Sequence, residues 1–454
     1  MKRKLKLLSS AFAVCVMMIA CENSDQNLTS EVDELKKANN GMIKSYDNAM
    51  VLAWNDALSQ AVDNKMPIAV ESRNYAIVTL AVHDALNNVV PDYETYALDN
   101  SSADYKEISK KNIYPIANAA VAQAAHDALV ALVPASAASA GALLTTSLAE
   151  IEESELKARG IQIGKDAAQA VLAERLSDPP LRFAAYQQGT EPGEYRSTPP
   201  YSIANPPVWP ANAAYAPYME TFKPFGIETS DQFRAQPPYP LDSPEYAADY
   251  NEVKRLGGET SMERTQEQKD LGIFYLNNIP NAINRLAKIF AVSEELNGWE
   301  TARLLALTHM TQFDALLSSF ESNYYYNRWR PVTAIRLGDS DGNDETAGDP
   351  TWSSVVAARA NPPTPAYPST YSAMAKAGAE LLSLFSKKDE FSFTTISFYV
   401  PGVEKSYTRF SDYASDVSIS RLYVGFQFRH DMEEGERMGK EVAKYVFAHK
   451  LRRL

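Results

Sequence analysis

The sequence predicts an all-α chain, and three observations carry that expectation. Apolar residues recur at three- and four-residue spacing over long segments, the signature of one buried helix face. Gly, Pro, Ser and Thr fall where such helices should begin and end. No repeat of fixed period is evident, which argues for helical bundles over a solenoid. At 454 residues and 45% hydrophobic content, the chain can build one or two bundles around a sizeable core.

Residues 1–20 carry a basic start (Lys2, Arg3, Lys4, Lys6) and an apolar run too short to span a bilayer permanently, the layout of an export signal. Met18-Ile19-Ala20-Cys21 has the form of a bacterial lipobox, with Cys21 as the lipid attachment point; a plain secretory signal is the alternative. Cys15 would leave with the signal, so the mature chain would hold one Cys and no internal disulfide. Acylated Cys21 would anchor the protein to a membrane, placing it as an exported lipoprotein on the bacterial outer membrane. The formal charge is −13, and removal of residues 1–20 with their four cations would leave −17. That acidity disfavours polyanions such as nucleic acid as partners, so an anion site must be a local basic pocket.

Residues 21–45 are polar and read as a tether. The N-terminal helical part, 46–177, is expected to hold a buried helix over 75–90 and further helices over 116–132, 138–160 and 163–176. The pairs His83-Asp84 and His126-Asp127 lie on the first two and read as core histidines satisfied by neighbours, the alternative being metal ligands. Residues 178–243 hold half of the chain's 26 prolines with aromatic residues interleaved. Such a stretch cannot be regular helix, and its rings need burial, so it reads as an ordered crossover. The C-terminal helical part, 244–454, opens with Ser243 as N-cap of a helix over 244–256, then Thr265 starting the next after Gly257-Gly258. Long helices are expected over 282–296 and 299–321, the latter with a structural His309. The acidic loop 339–349 lacks the terminal Glu of an EF-hand, so no metal site is expected there.

Three segments carry the candidate chemistry: NYYYNRWRPVTAIR from Asn323, YPSTYSAMAKAGAELL from Tyr367, and SRLYVGFQFRHD from Ser420. The last reads as one helix, with Gln427 and Asp431 four apart on one face. Together they resemble the vanadium-dependent haloperoxidases of the phosphatidic-acid-phosphatase type 2 superfamily. That family shows a Lys seven residues before Arg-Pro, then Pro-Ser-Gly-His, then Ser-Arg with a His six residues after the Arg and an Asp four later. Arg330, Pro331, Pro368, Ser369, Ser420, Arg421 and Asp431 match, whereas the Lys is Asn323, the Gly-His is Thr370-Tyr371, and the last His is Gln427.

The resemblance implies two helical bundles joined by the Pro-rich crossover, and an oxyanion site formed by Arg330, Ser369, Thr370 and Arg421, with Asn323 at the Lys position. It also places Tyr371 and Gln427 at the two catalytic His positions. A carboxamide offers no basic nitrogen lone pair, so Gln427 replaces imidazole neither as vanadium ligand nor as nucleophile. Tyr371, with an ordinary pKa near 10, is poorly matched to general base work at neutral pH, although nearby Arg side chains would lower it. His430 and Arg328 are near in sequence but should point away from the site. The expectation is therefore a degenerate, non-catalytic member that holds no vanadate cofactor and binds a small oxyanion weakly. An active haloperoxidase or acid phosphatase with an altered site is the second reading. A surface protein capturing glycans or peptides through Tyr201, Trp209 and Tyr215 is the third.

Overall fold

The computed structural model describes residues 41–198, 212–355 and 361–454. The expected export signal, Cys21, almost all of the expected tether, Tyr201 and Trp209 lie outside the described residues. The first bundle comprises α1 (Ala49–Val62), α2 (Ile68–Val89), α3 (Ile113–Leu132), α4 (Ala137–Ala149) and α5 (Glu155–Glu174). The break expected after residue 160 falls instead at residues 150–154, because the Ser154 side chain caps α5 by accepting from Lys157 N–H. Gly160 is not a helix end but a contact point: a Cβ there would sit 2.3 Å from the Ile116 carbonyl oxygen of α3. Helix α2 begins at Ile68, well before the expected residue 75. The polar run Glu71-Ser72-Arg73-Asn74 interrupts the apolar pattern there, yet Glu71 is fully buried and accepts from Asn64, Asn278 and Asn281.

His83 and Asp84 are structural, as expected. His83 Nε2 lies 3.0 Å from the Glu94 carbonyl oxygen, and burial lowers its pKa to about 4. The Asp84 carboxylate accepts the backbone N–H groups of Tyr96, Ala97 and Leu98 at 2.7–2.9 Å, fastening the loop after α2. His126 pairs with its neighbour Asp127 at 2.7 Å.

The crossover is ordered where described. Its strand β1 (Phe183–Ala185) pairs antiparallel with β2 (Ala213–Tyr215), Phe183 opposite Tyr215. Tyr195, Met219, Phe222, Phe225 and Ile227 bury their side chains in it.

The second bundle contains α6 (Pro244–Leu256), α7 (Gln266–Phe274), α8 (Ile279–Ser293), α9 (Gly298–Tyr326), α10 (Pro331–Arg336), α11 (Thr370–Ser386), α12 (Phe410–Tyr423) and α13 (Arg429–His449). Ser243 and Thr265 cap α6 and α7 as the sequence predicts. The 29-residue α9 starts from an Asn297 capping box and lies at the centre, against α2 on one side and α11 and α13 on the other. Its Asp314 is completely buried and accepts the backbone N–H groups of Phe225, Gly226 and Ile227 at 2.5–2.9 Å. Arg234 of the crossover pairs with Glu321 one helical stretch later. One apolar core runs through both bundles, and a smaller cluster forms around Trp329, Trp352 and Tyr250.

Two features depart from an all-helical reading. An antiparallel hairpin, β3 (Glu390–Ile396) with β4 (Glu404–Arg409), separates α11 from α12. The segment read as one helix from Arg421 to Asp431 is two helices and a turn: α12 stops at Tyr423 and α13 starts at Arg429. Gly425 makes the break, with φ +77 and a position where a Cβ would lie 2.5 Å from the Gly257 carbonyl oxygen.

Candidate functional site

The turn at Gly425 aims residues 426 and 427 into a cavity of about 410 Å³ that α11, α12, the crossover and the 362–364 segment enclose. Arg330, Ser369, Thr370, Tyr371, Arg421 and Gln427, all selected from the sequence, line it together. Asn323 is not in its wall: the side-chain Nδ2 donates to the Pro368 carbonyl at 2.8 Å, so it braces the start of α11 from behind.

Ser369 is the N-cap of α11, its Oγ accepting from Ser372 N–H at 3.3 Å and from Ser372 Oγ at 2.8 Å. Thr370 and Tyr371 are the first residues of that helix, where backbone N–H groups have no partner within the helix and attract anions. The Thr370 hydroxyl meets Ser319 Oγ at 2.7 Å.

Arg330 is 2% exposed and is fixed by carbonyl groups rather than by a carboxylate. It donates to Thr364 O, Thr364 Oγ1, Pro365 O and Phe426 O at 2.9–3.2 Å, leaving one of its five N–H groups unspent among the described residues. Arg421 donates to Tyr275 O at 2.6 Å and to Ser420 Oγ, and lies 4.6 Å above the Tyr371 ring. Its Nη1 makes no hydrogen bond among the described residues. Burial pulls both guanidiniums down to about 10, still charged at neutral pH. Neither forms an ion pair with a carboxylate among the described residues. Two buried cations without counter-charge are costly unless an anion joins them.

Asp431 supplies little compensation. Burial pushes its carboxyl up to about 7, against one hydrogen bond from Phe428 N–H and the fields of Arg330 and Arg328. The stability contributed by its neutral form is fully present below the unfolded value of 3.8 and is lost as pH rises through 7.

The Tyr371 phenol departs from the expected direction. Arg421 does lower it, but burial outweighs that and leaves it at about 12, further from general base work at neutral pH.

Gln427 is 5% exposed and its Nε2 donates to the Ala366 carbonyl at 3.0 Å. Its Oε1 has no hydrogen-bond partner among the described residues. None of the chain's five histidines lies in the cavity wall. His430 stacks between Tyr239, with centroids 3.9 Å apart, and Tyr367. His309 bonds Asn284 at 2.9 Å inside the core. Arg328 donates to the Tyr239 carbonyl, outside the cavity wall. His430 and Arg328 thus point elsewhere, although Arg328 lies between helices rather than on one.

Sequence reasoning missed the strap Thr364-Pro365-Ala366, which receives both Arg330 and Gln427, and the wall residues Phe426 and Tyr399. The Pro-rich run just before Pro368 was the available signal, since prolines fix an extended strap of outward-facing carbonyls. Tyr215 is 7% exposed and faces the cavity, not the exterior. That removes one of the aromatics on which glycan capture would rest.

Comparison with known proteins finds likeness in sequence and in fold. Residues 303–454 fit the family model of the VCPO second helical-bundle domain. A vanadium chloroperoxidase from Curvularia inaequalis is 27% identical over 365 residues, 66% of this chain and 58% of that protein. The chain therefore spans less than two thirds of that relative's length. Among solved structures, the first bacterial vanadium-dependent iodoperoxidase superposes with a TM-score of 0.71 at 22% identity, over 89% of this chain and 97% of that one. A holo-type bacterial vanadium-dependent chloroperoxidase does so with a TM-score of 0.64 at 17% identity, over 86% and 94%. The helical-bundle fold is thus that of the vanadium haloperoxidase structures, and residues 303–454 form a second helical-bundle domain of the VCPO type.

Proposed function

We propose that this is a haloperoxidase-like protein whose vanadate site is degenerate, that it does not catalyse halide oxidation or phosphoester hydrolysis, and that it retains weak binding of small oxyanions. The observation that carries this reading is the wall of the cavity itself, which holds two guanidiniums and no imidazole. Anion recognition needs forked donors and helix-start N–H groups, and these are present. Holding vanadate as a resident cofactor through nitrogen needs a basic lone pair, and the side chain at 427 offers an amide whose nitrogen is already spent on Ala366. The residues present do not fit that group.

A second reading, an active enzyme with altered chemistry, draws on the intact Arg330, Ser369 and Arg421 constellation. The two part on one set of measurements. Titration with phosphate and with vanadate should give weak binding, with no bromide oxidation by hydrogen peroxide after vanadate loading and no hydrolysis of an aryl phosphate. Turnover that disappears in Arg421→Ala would decide for the second reading.

The lipobox supports export and anchoring at the outer membrane. Fatty-acid labelling of the expressed protein should be lost in Cys21→Ser; label that persists would exclude this anchor.

A further inference from the structure

A small oxyanion does not account for the cavity. At about 410 Å³ it falls in the range of sites that bury a whole small organic molecule. Its walls also include Phe183, Tyr215, Leu276, Phe320, Tyr399 and Phe426, surfaces suited to an apolar or aromatic body. The polar part of the wall is itself mixed. Arg330 brings one unspent N–H and Arg421 a whole nitrogen, which suits the two oxygens of a carboxylate.

The same wall holds an acceptor with no donor among the described residues, Gln427 Oε1, on a side chain that is 5% exposed. Its orientation is fixed by the bond from Nε2 to Ala366 O at 3.0 Å, since exchanging the two amide atoms would set oxygen against oxygen. A buried acceptor left unpaired is costly, and an anion carrying no hydrogen would make matters worse by adding lone pairs. A ligand with a hydroxyl next to its anionic group resolves both.

On the anion-binding reading of this same cavity, we propose that it takes a 2-hydroxy carboxylate with an apolar body, and that Gln427 is the residue that selects for the hydroxyl. The carboxylate lies against Arg421 and Arg330, the hydroxyl donates to Gln427 Oε1, and the apolar body packs on the aromatic walls.

Calorimetric titration of the full chain with mandelate, phenylacetate and inorganic phosphate tests this. Mandelate and phenylacetate share the ring and the carboxylate and differ in the hydroxyl. Mandelate should bind about tenfold more tightly, the cost of one unmet buried acceptor expressed as a ratio. Gln427→Leu should bring the ratio to within about twofold, mainly by weakening mandelate. Equal affinities in the unaltered protein would overturn the role of Gln427, whatever the variant does. Binding of phosphate without either carboxylate would overturn the ligand class while leaving the oxyanion reading in place. Silence with all three would overturn both.

Discussion

Arg421→Met is expected to weaken phosphate binding by roughly 100-fold, the equivalent of about 3 kcal/mol, while the folded state keeps its stability to within about 1 kcal/mol. The asymmetry follows from the partners of Arg421. Its guanidinium is buried, charged, and paired with no carboxylate among the described residues, so the apo fold bears a desolvation cost that only a bound anion offsets. Methionine keeps an unbranched, polarizable chain over the rings of Tyr371 and Phe426, now 4.6 and 5.9 Å from the guanidinium carbon. It gives up the donor to the Tyr275 carbonyl, a loss that relief of the buried charge counterbalances. Arg421→Lys should fall between, since an ammonium restores charge without the fork. Calorimetry paired with urea unfolding reads both halves; affinity within threefold of the parent would remove Arg421 from the site.

Asp314→Ala is expected to cost about 4 kcal/mol of stability, among the largest effects any single change should have outside the cavity. Asp314 sits in the middle of α9 with no exposure, and three consecutive backbone N–H groups of the crossover end on its carboxylate. Alanine would leave all three unsatisfied in a place water does not reach, each at a cost of roughly 1–3 kcal/mol with partial relaxation. Asp314→Asn, with one accepting oxygen, should lose about half as much. Asp344→Ala, at an exposed position of the acidic loop, should change stability by less than about 0.5 kcal/mol. A urea midpoint for Asp314→Ala within experimental reach of Asp344→Ala would show that the crossover is held by other means.

Much of the helical scaffold is legible because its signals are local. Ser243 and Thr265 announce their helices by type and position, and the apolar spacing of α2 and α9 shows through. What stays hidden depends on contacts between distant segments. Gly160 has the look of a terminator because glycine usually is one there; only the approach of α3 makes it an interior packing residue. Gly425 is visible, yet the periodic match of Gln427 with Asp431 masks it, and the backbone turn proves the stronger constraint. The hairpin β3–β4 alternates buried and exposed along EFSFTTI, a period-two signal easily lost inside an otherwise helical chain. In the cavity, residue identities can be selected from motifs, but not that Arg330 spends four donors on a strap of carbonyls, nor that Asn323 stands behind the wall.

Asp84 and Asp314 solve the same problem on neighbouring helices: each sits in an Asp-Ala-Leu triplet and each gathers three successive amide hydrogens of a passing loop. The course of each loop is thus written into its main chain and read out by a single remote carboxylate. The side chains answer to other neighbours: Tyr96 and Phe225 meet Arg175, Ile227 is buried, and Gly226 leaves no room for a Cβ beside Asp314.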